Sequence, residues 1–208
     1  MSSVIQSVDS IGTIVLAAGA SVRLGQPKQL LPYRGRTLLR HALETASAAG
    51  LGPVYLVTGA LHEELLGEAA GLPVQVVCNA NWALGMGASI QTGITALEAD
   101  FPHLQGALIM LCDQPLVTPD LLRELALQAQ RTGCSVAAAA YAGGAGVPAL
   151  FARRLFPLLH ALSPAEGARR LLQSLQHEIT LVPFPDGEVD VDTPAQYEQL
   201  LHRTSSLH

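Results

Sequence analysis

Short apolar runs alternate along this chain with longer stretches in which apolar positions recur every three or four residues. The runs at 12–17, 53–58, 73–78, 106–111, 134–140 and 178–183 are strand-sized and almost continuously apolar, so they predict strands buried on both faces. Between them, 37–49 sets Leu38, Leu39, Ala42, Ala46 and Ala49 on one face of a helix. The segments 62–70, 87–99, 118–132, 151–161, 166–175 and 194–202 carry the same helical period. Thr118-Pro119 and Thr193-Pro194 each offer an N-cap followed by proline at the first helical position. Strand and helix in alternation build βαβ units, which predicts an α/β fold: a mostly parallel central sheet between helix layers, in one domain over 1–208. The stretch 143–147 has no period and reads as a mobile loop.

Composition narrows this picture. Of 208 residues, 49% are hydrophobic and 14% charged, enough apolar material for a substantial core. Only 4% are aromatic, so small aliphatic side chains must let helices lie close on the sheet. No apolar run is long enough to span a membrane, and residues 1–10 lack a basic start and an apolar signal core. Three cysteines without a Cys-x-x-Cys pair argue against a disulfide framework or a zinc site and predict reduced thiols in the cytoplasm. The net charge of −5 argues against nucleic acid as a partner. Within it sits one basic corner: Arg23, Lys28, Arg34, Arg36 and Arg40 fall in the first forty positions beside a single acid, Asp9. That corner suits a small polyanion.

The first strand opens into Leu16-Ala17-Ala18-Gly19-Ala20-Ser21-Val22-Arg23-Leu24-Gly25-Gln26-Pro27-Lys28. Small residues let backbone N–H groups approach an anion closely, and Arg23 and Lys28 can neutralise what remains of its charge. The plain alternative is a βα turn with two solvated cations. The run is neither a Walker A loop nor a G-x-G-x-x-G turn. Farther on, Gly106 to Pro115 is an apolar strand that ends on Asp113, placed to hold Mg²⁺ beside a polyphosphate or else to cap the turn before Pro115. Asp186, Glu188, Asp190 and Asp192 form an acidic run ahead of the last helix, which a solvated loop would also explain. In 79–93, Gly85 and Gly87 give a flexible entry to a helix. Ser89 could meet an anion or a base edge there, or the segment could serve capping and close packing alone.

Leu16 to Lys28, continued by Gln29-Leu30-Leu31-Pro32-Tyr33, resembles the opening of the MobA-like nucleotidyltransferases, and among them the molybdenum cofactor cytidylyltransferases. The likeness recurs at 79–93, at Leu111-Cys112-Asp113-Gln114-Pro115, at 146–151 and at Asp190-Val191-Asp192-Thr193-Pro194. It implies a Rossmann-like nucleotidyltransferase fold that transfers CMP from CTP to the phosphate of the molybdopterin cofactor and releases pyrophosphate. Nucleotide contacts would fall to Leu16, Ala17, Ala18, Gly19, Ser21, Arg23, Gly25, Lys28, Asn79, Gly87 and Ser89. Arg23 and Lys28 would be catalytic by neutralising the leaving pyrophosphate, and Mg²⁺ would sit on Asp113. A second metal-side contact would come from Asp190 first and Asp192 second. The implied client is a molybdenum hydroxylase or its maturation chaperone. Ala17-Ala18, where guanylyltransferase relatives tend to carry Ala-Gly, favours cytosine. Two departures from the family pattern stand out, the second of which bears on the acceptor. Gln91 replaces a more usual Arg, and Ser163 to Arg169 carries Glu166 one position away from a usual Asp. A transferase using GTP or another phosphorylated acceptor remains an alternative, as does a non-catalytic cofactor-handling chaperone.

Overall fold

Ile11–Leu16 (β1) is buried at every position, and its side chains divide by the period of two. Ile11 and Val15 pack with one helix layer, while Ile14 and Leu16 pack with the other. A strand with two apolar faces belongs at the centre of a covered sheet, and β1 lies there. The structure is a computed structural model and describes residues 10–21 and 24–205. Two short strands, Pro32–Tyr33 (β2) and Arg36–Thr37 (β3), form a separate hairpin. The main sheet also contains Val54–Thr58 (β4), Val74–Cys78 (β5), Gly106–Leu111 (β6), Val136–Tyr141 (β7), Gly144–Ala152 (β8) and Ile179–Pro183 (β9). Its order is β5-β4-β1-β6-β8-β7-β9, with only β8 antiparallel to its neighbours.

Helices Leu38–Ala49 (α1), His62–Ala69 (α2) and Pro119–Thr132 (α4) cover one face through Leu39, Leu43, Leu65, Leu122 and Leu125. Met86–Asp100 (α3), Phe156–His160 (α5) and Ala168–Ser174 (α6) cover the other through Ile90, Ile94, Leu97, Phe156, Leu159 and Leu172. Pro194–Ser205 (α7) packs by Leu200 into a third cluster with Leu24, Leu31, Tyr33, Leu38 and Val191. The result is the three-layer α/β sandwich that the hydrophobic pattern predicts. Thr118 caps α4 by accepting from the Leu121 N–H, as its position ahead of Pro119 predicts. Gly93 lets α3 lie close on the sheet, since a Cβ there would stand 2.8 Å from Ile14 Cγ2 and 3.0 Å from Val57 Cγ2.

Two segments depart from expectation. The stretch 143–147, read as a mobile loop, is instead the turn and first half of β8, while 151–161 begins with the end of β8 and a 3₁₀ turn at Arg153–Leu155 and is α-helical only over Phe156–His160. Ala142 and Gly143 turn the hairpin with φ of +50° and +72°. Gly144, Ala145 and Gly146 carry too little side chain to show a period. Pairing with β7, not their own preference, makes them extended.

Candidate functional site

The register of the sheet builds the site. Leu16 at the end of β1 is paired with Leu111 at the end of β6, so the loops that follow emerge side by side beyond the carboxyl ends of the strands. The first loop brings Lys28 and the second Asp113. Lys28 Nζ donates to Asp113 Oδ2 in a short ion pair and to Asp192 Oδ1 at 2.7 Å. Burial works against the lysine charge. Attraction to Asp113 and the hydrogen bonds to Asp113 and Asp192 outweigh that and raise its pKa above the ordinary lysine value. Asp113 is 7% exposed, and its other oxygen, Oδ1, is buried with no hydrogen-bond partner among the described residues.

Three glutamines hold this arrangement, and none of them was given a role from the sequence, although Gln29 and Gln114 stand within the segments that carry the resemblance. Gln29, 1% exposed, donates from Nε2 to the carbonyls of Ala17 (3.1 Å) and Gly19 (2.7 Å) and accepts from Ser21 Oγ at 3.1 Å. Ser21 sits in the left-handed region at φ +54°, and its hydroxyl accepts the Lys28 N–H. The loop is thus cross-braced to the residue whose side chain it must aim. Gln114 donates to the Val147 carbonyl at 3.0 Å and reaches the Gly187 carbonyl at 3.4 Å, tying β8 and the 185–188 turn to the neighbour of Asp113. Gln196 donates to Asp190 Oδ1 at 2.7 Å, while its Oε1 accepts from the Asp192 N–H (3.1 Å) and Thr193 Oγ1 (2.9 Å). Its own N–H returns to Thr193 Oγ1 at 3.3 Å. The Thr-x-x-Gln spacing of a capping box is the sequence signal that would have found it.

This clip separates the two aspartates. Residues 189–193 are irregular, not a strand, and Gln196 captures Asp190 while Asp192 reaches Lys28. Asp190 has its pKa raised by burial and then by the nearby Asp192 and Asp113 carboxylates. Among the described residues no three His, Cys, Asp or Glu side chains are grouped so as to hold a metal ion by themselves. Asp113 and Asp192 nevertheless fit a hard cation. Magnesium and its relatives are commonly held by one or two carboxylates, with phosphates and water completing the shell.

A cavity of about 300 Å³ opens beside the pair. It is lined by the expected Leu16, Ala17, Ala18, Gly19, Lys28, Ser89 and Asp113, and also by Gln29, Trp82 and Met86. Cys112 lines it as a buried thiol, its pKa pushed up to about 12 by burial and then by Asp113. Ser21, Gly25 and Asn79 support the cavity without lining it. Gly25 turns the chain at φ +73°, and Asn79 Nδ2 donates to Ser89 Oγ at 3.0 Å. Gly87 serves packing: a Cβ there would overlap the Ser163 carbonyl at 2.2 Å. The start of α3 is also closed to an anion at Gly87 and Ala88, whose N–H groups both donate to the Pro164 carbonyl. Arg23 lies outside the described residues. A second cavity of about 310 Å³, lined by Tyr141, Gly146, Val147, Gly167 and Arg169, shares Met86 and Leu111 with the first. Glu166 pairs with Arg170 and does not line it. No helix among the described residues is long and apolar enough to cross a membrane.

Residues 13–179 match the family described as MobA-like NTP transferase domain. The chain is 36% identical to the nicotine blue oxidoreductase of Paenarthrobacter nicotinovorans, covering 90% of this chain and 95% of that one. It is 30% identical to the molybdenum cofactor guanylyltransferase of Xanthomonas euvesicatoria pv. vesicatoria, over 91% and 93% of the two chains. The crystal structure of a Mycobacterium tuberculosis H37Rv protein in complex with manganese superposes with a TM-score of 0.76 at 32% identity, covering 92% of this chain and 98% of that one.

Proposed function

The chain belongs to the MobA-like NTP transferase family, and from that premise we propose that it transfers CMP from CTP to the phosphate of the molybdopterin cofactor, releasing pyrophosphate. The observation that carries this reading is the convergence of Lys28, Asp113 and Asp192 at the mouth of a cavity floored by the Leu16 to Gly19 backbone, with a second cavity alongside. Two adjoining cavities suit two substrates whose phosphates must meet in line, and placing them accounts for much of such a reaction. Lys28, and Arg23 beside it in sequence, would neutralise charge that builds on the departing pyrophosphate. Mg²⁺ held by Asp113 and Asp192 would supply charge neutralisation on the phosphate oxygens. Arg169 would face the acceptor. Ala17 and Ala18 line the cavity, and an alanine at 18 in place of glycine would leave less room for a purine than for a pyrimidine. The relative named as a guanylyltransferase supports the molybdenum cofactor as acceptor, and its own nucleotide makes GTP the competing substrate.

The test is pyrophosphate release from each of the four nucleoside triphosphates with Mg²⁺ and purified molybdopterin cofactor. CTP should exceed GTP, with ATP poor, and Lys28→Ala should lower turnover by roughly 10²–10³ without unfolding the chain. A GTP preference would assign the chain to guanylyl transfer. Release unaltered by Lys28→Ala would remove Lys28 from the mechanism.

A further inference from the structure

Lys28 serves two masters. The proposed reaction needs its ammonium on phosphate oxygens, yet in this structure it lies between Asp113 Oδ2 and Asp192 Oδ1. An ammonium has three donors, and two are committed to carboxylates that a divalent cation would also require. The lysine side chain is only 18% exposed, so the bridge is largely shielded from water and competes in earnest for those oxygens. Without it, Asp113, Asp190 and Asp192 would be three carboxylates in mutual repulsion, with Asp113 Oδ1 already buried and unpartnered among the described residues.

The surroundings let Lys28 leave without disturbing what stays. Its backbone is anchored through its N–H to Ser21 Oγ, and Gln29 braces the loop, so only the flexible side chain need swing. On the far side, Gln196 fixes Asp190 and the Asp192 backbone independently of the lysine. Asp190 and the backbone that carries Asp192 therefore remain in place when the ammonium departs.

We propose that Lys28 is an exchangeable counter-ion, which occupies Asp113 and Asp192 until a polyphosphate draws it away, so that divalent metal and nucleotide bind cooperatively and metal alone binds weakly. The proposal rests on the nucleotide reading of the cavity. A bare cation must displace the ammonium at its own expense, whereas a nucleotide offers the ammonium new oxygens as the cation takes the old ones. By linkage the gain is reciprocal: metal must strengthen nucleotide binding by the same factor.

Binding of Mn²⁺ to the full chain, followed by the electron paramagnetic resonance of the free ion, tests this without turnover. In the absence of nucleotide, Lys28→Met should bind Mn²⁺ about tenfold more tightly than the wild type or more, because the competing state is gone, whereas Lys28→Arg, which keeps the charge, should not. Equal affinities for wild type and Lys28→Met overturn the proposal. The wild-type chain supplies an arm free of substitution. CTP affinity, read from the fluorescence of Trp82 in the cavity wall, should rise with Mn²⁺ beyond what CTP–Mn²⁺ association in free solution explains. Where CTP binds but shows no such excess, the proposal is overturned as well, and this arm stands even if Lys28→Met does not fold. If Lys28→Met tightens Mn²⁺ while no nucleoside triphosphate perturbs Trp82, the counter-ion role stands and the nucleotide reading falls.

Discussion

At the scale of single residues, the site is a set of charges aimed by amides. Asp192 touches Lys28 directly, while Asp190 is held off by Gln196. Asp192→Asn should therefore weaken metal-dependent CTP binding more than Asp190→Asn does, as calorimetry with CTP and Mg²⁺ would show. The reverse order would mean that Gln196 releases Asp190 into the site on binding. The charged partners were legible in the sequence, because Lys28, Asp113 and the 190–192 pair stand at strand and helix ends where the fold collects ligands. Their order was not: alternation sets residues two apart on the same face and so cannot rank Asp190 against Asp192, and residues 189–193 are irregular in any case. Gln29 and Gln114 were illegible for another reason. An uncharged amide in an apolar stretch gives no sign of its hydrogen-bond partners until the loops it joins are brought together.

At the scale of elements, the helix period and the apolar runs located nearly everything, and what they missed was short or built of small residues. The hairpin of β2 and β3 is two residues on each side, below the length at which a pattern exists. Strand β8 is extended because β6 and β7 flank it. Small residues matter at one further contact. Gly93→Ala would gain helix propensity of up to about 1 kcal/mol, but the new methyl meets Ile14 and Val57, both β-branched and fixed in the sheet. Overpacking of this kind costs about 1–3 kcal/mol, so the variant should be net destabilised and melt a few degrees lower, read by calorimetric scanning. An unchanged or raised melting temperature would show that α3 can shift outward at no loss.

At the scale of the whole molecule, stability should depend on pH through His41, where α1 meets the loop after β6. His41 Nε2 donates to the Pro115 carbonyl at 3.0 Å, and the ring lies edge-on to Tyr33. Burial lowers its pKa below the ordinary 6.5, the Pro115 hydrogen bond opposes that, and Arg34 and Arg36 add to the lowering. The unfolded chain therefore takes up a proton first as pH falls, so stability present above about 6.5 is lost on going down through the folded value. Urea midpoints between pH 8 and 5 should fall more steeply for the wild type than for His41→Gln, and parallel curves would leave His41 without a part in the acid response. The Lys28–Asp192 bridge, which spans 164 positions, has a consequence for the chain in synthesis. A ribosome delivers Lys28 and Asp113 well before Asp192. A chain that stops short of Asp192 would leave Lys28 paired with Asp113 alone.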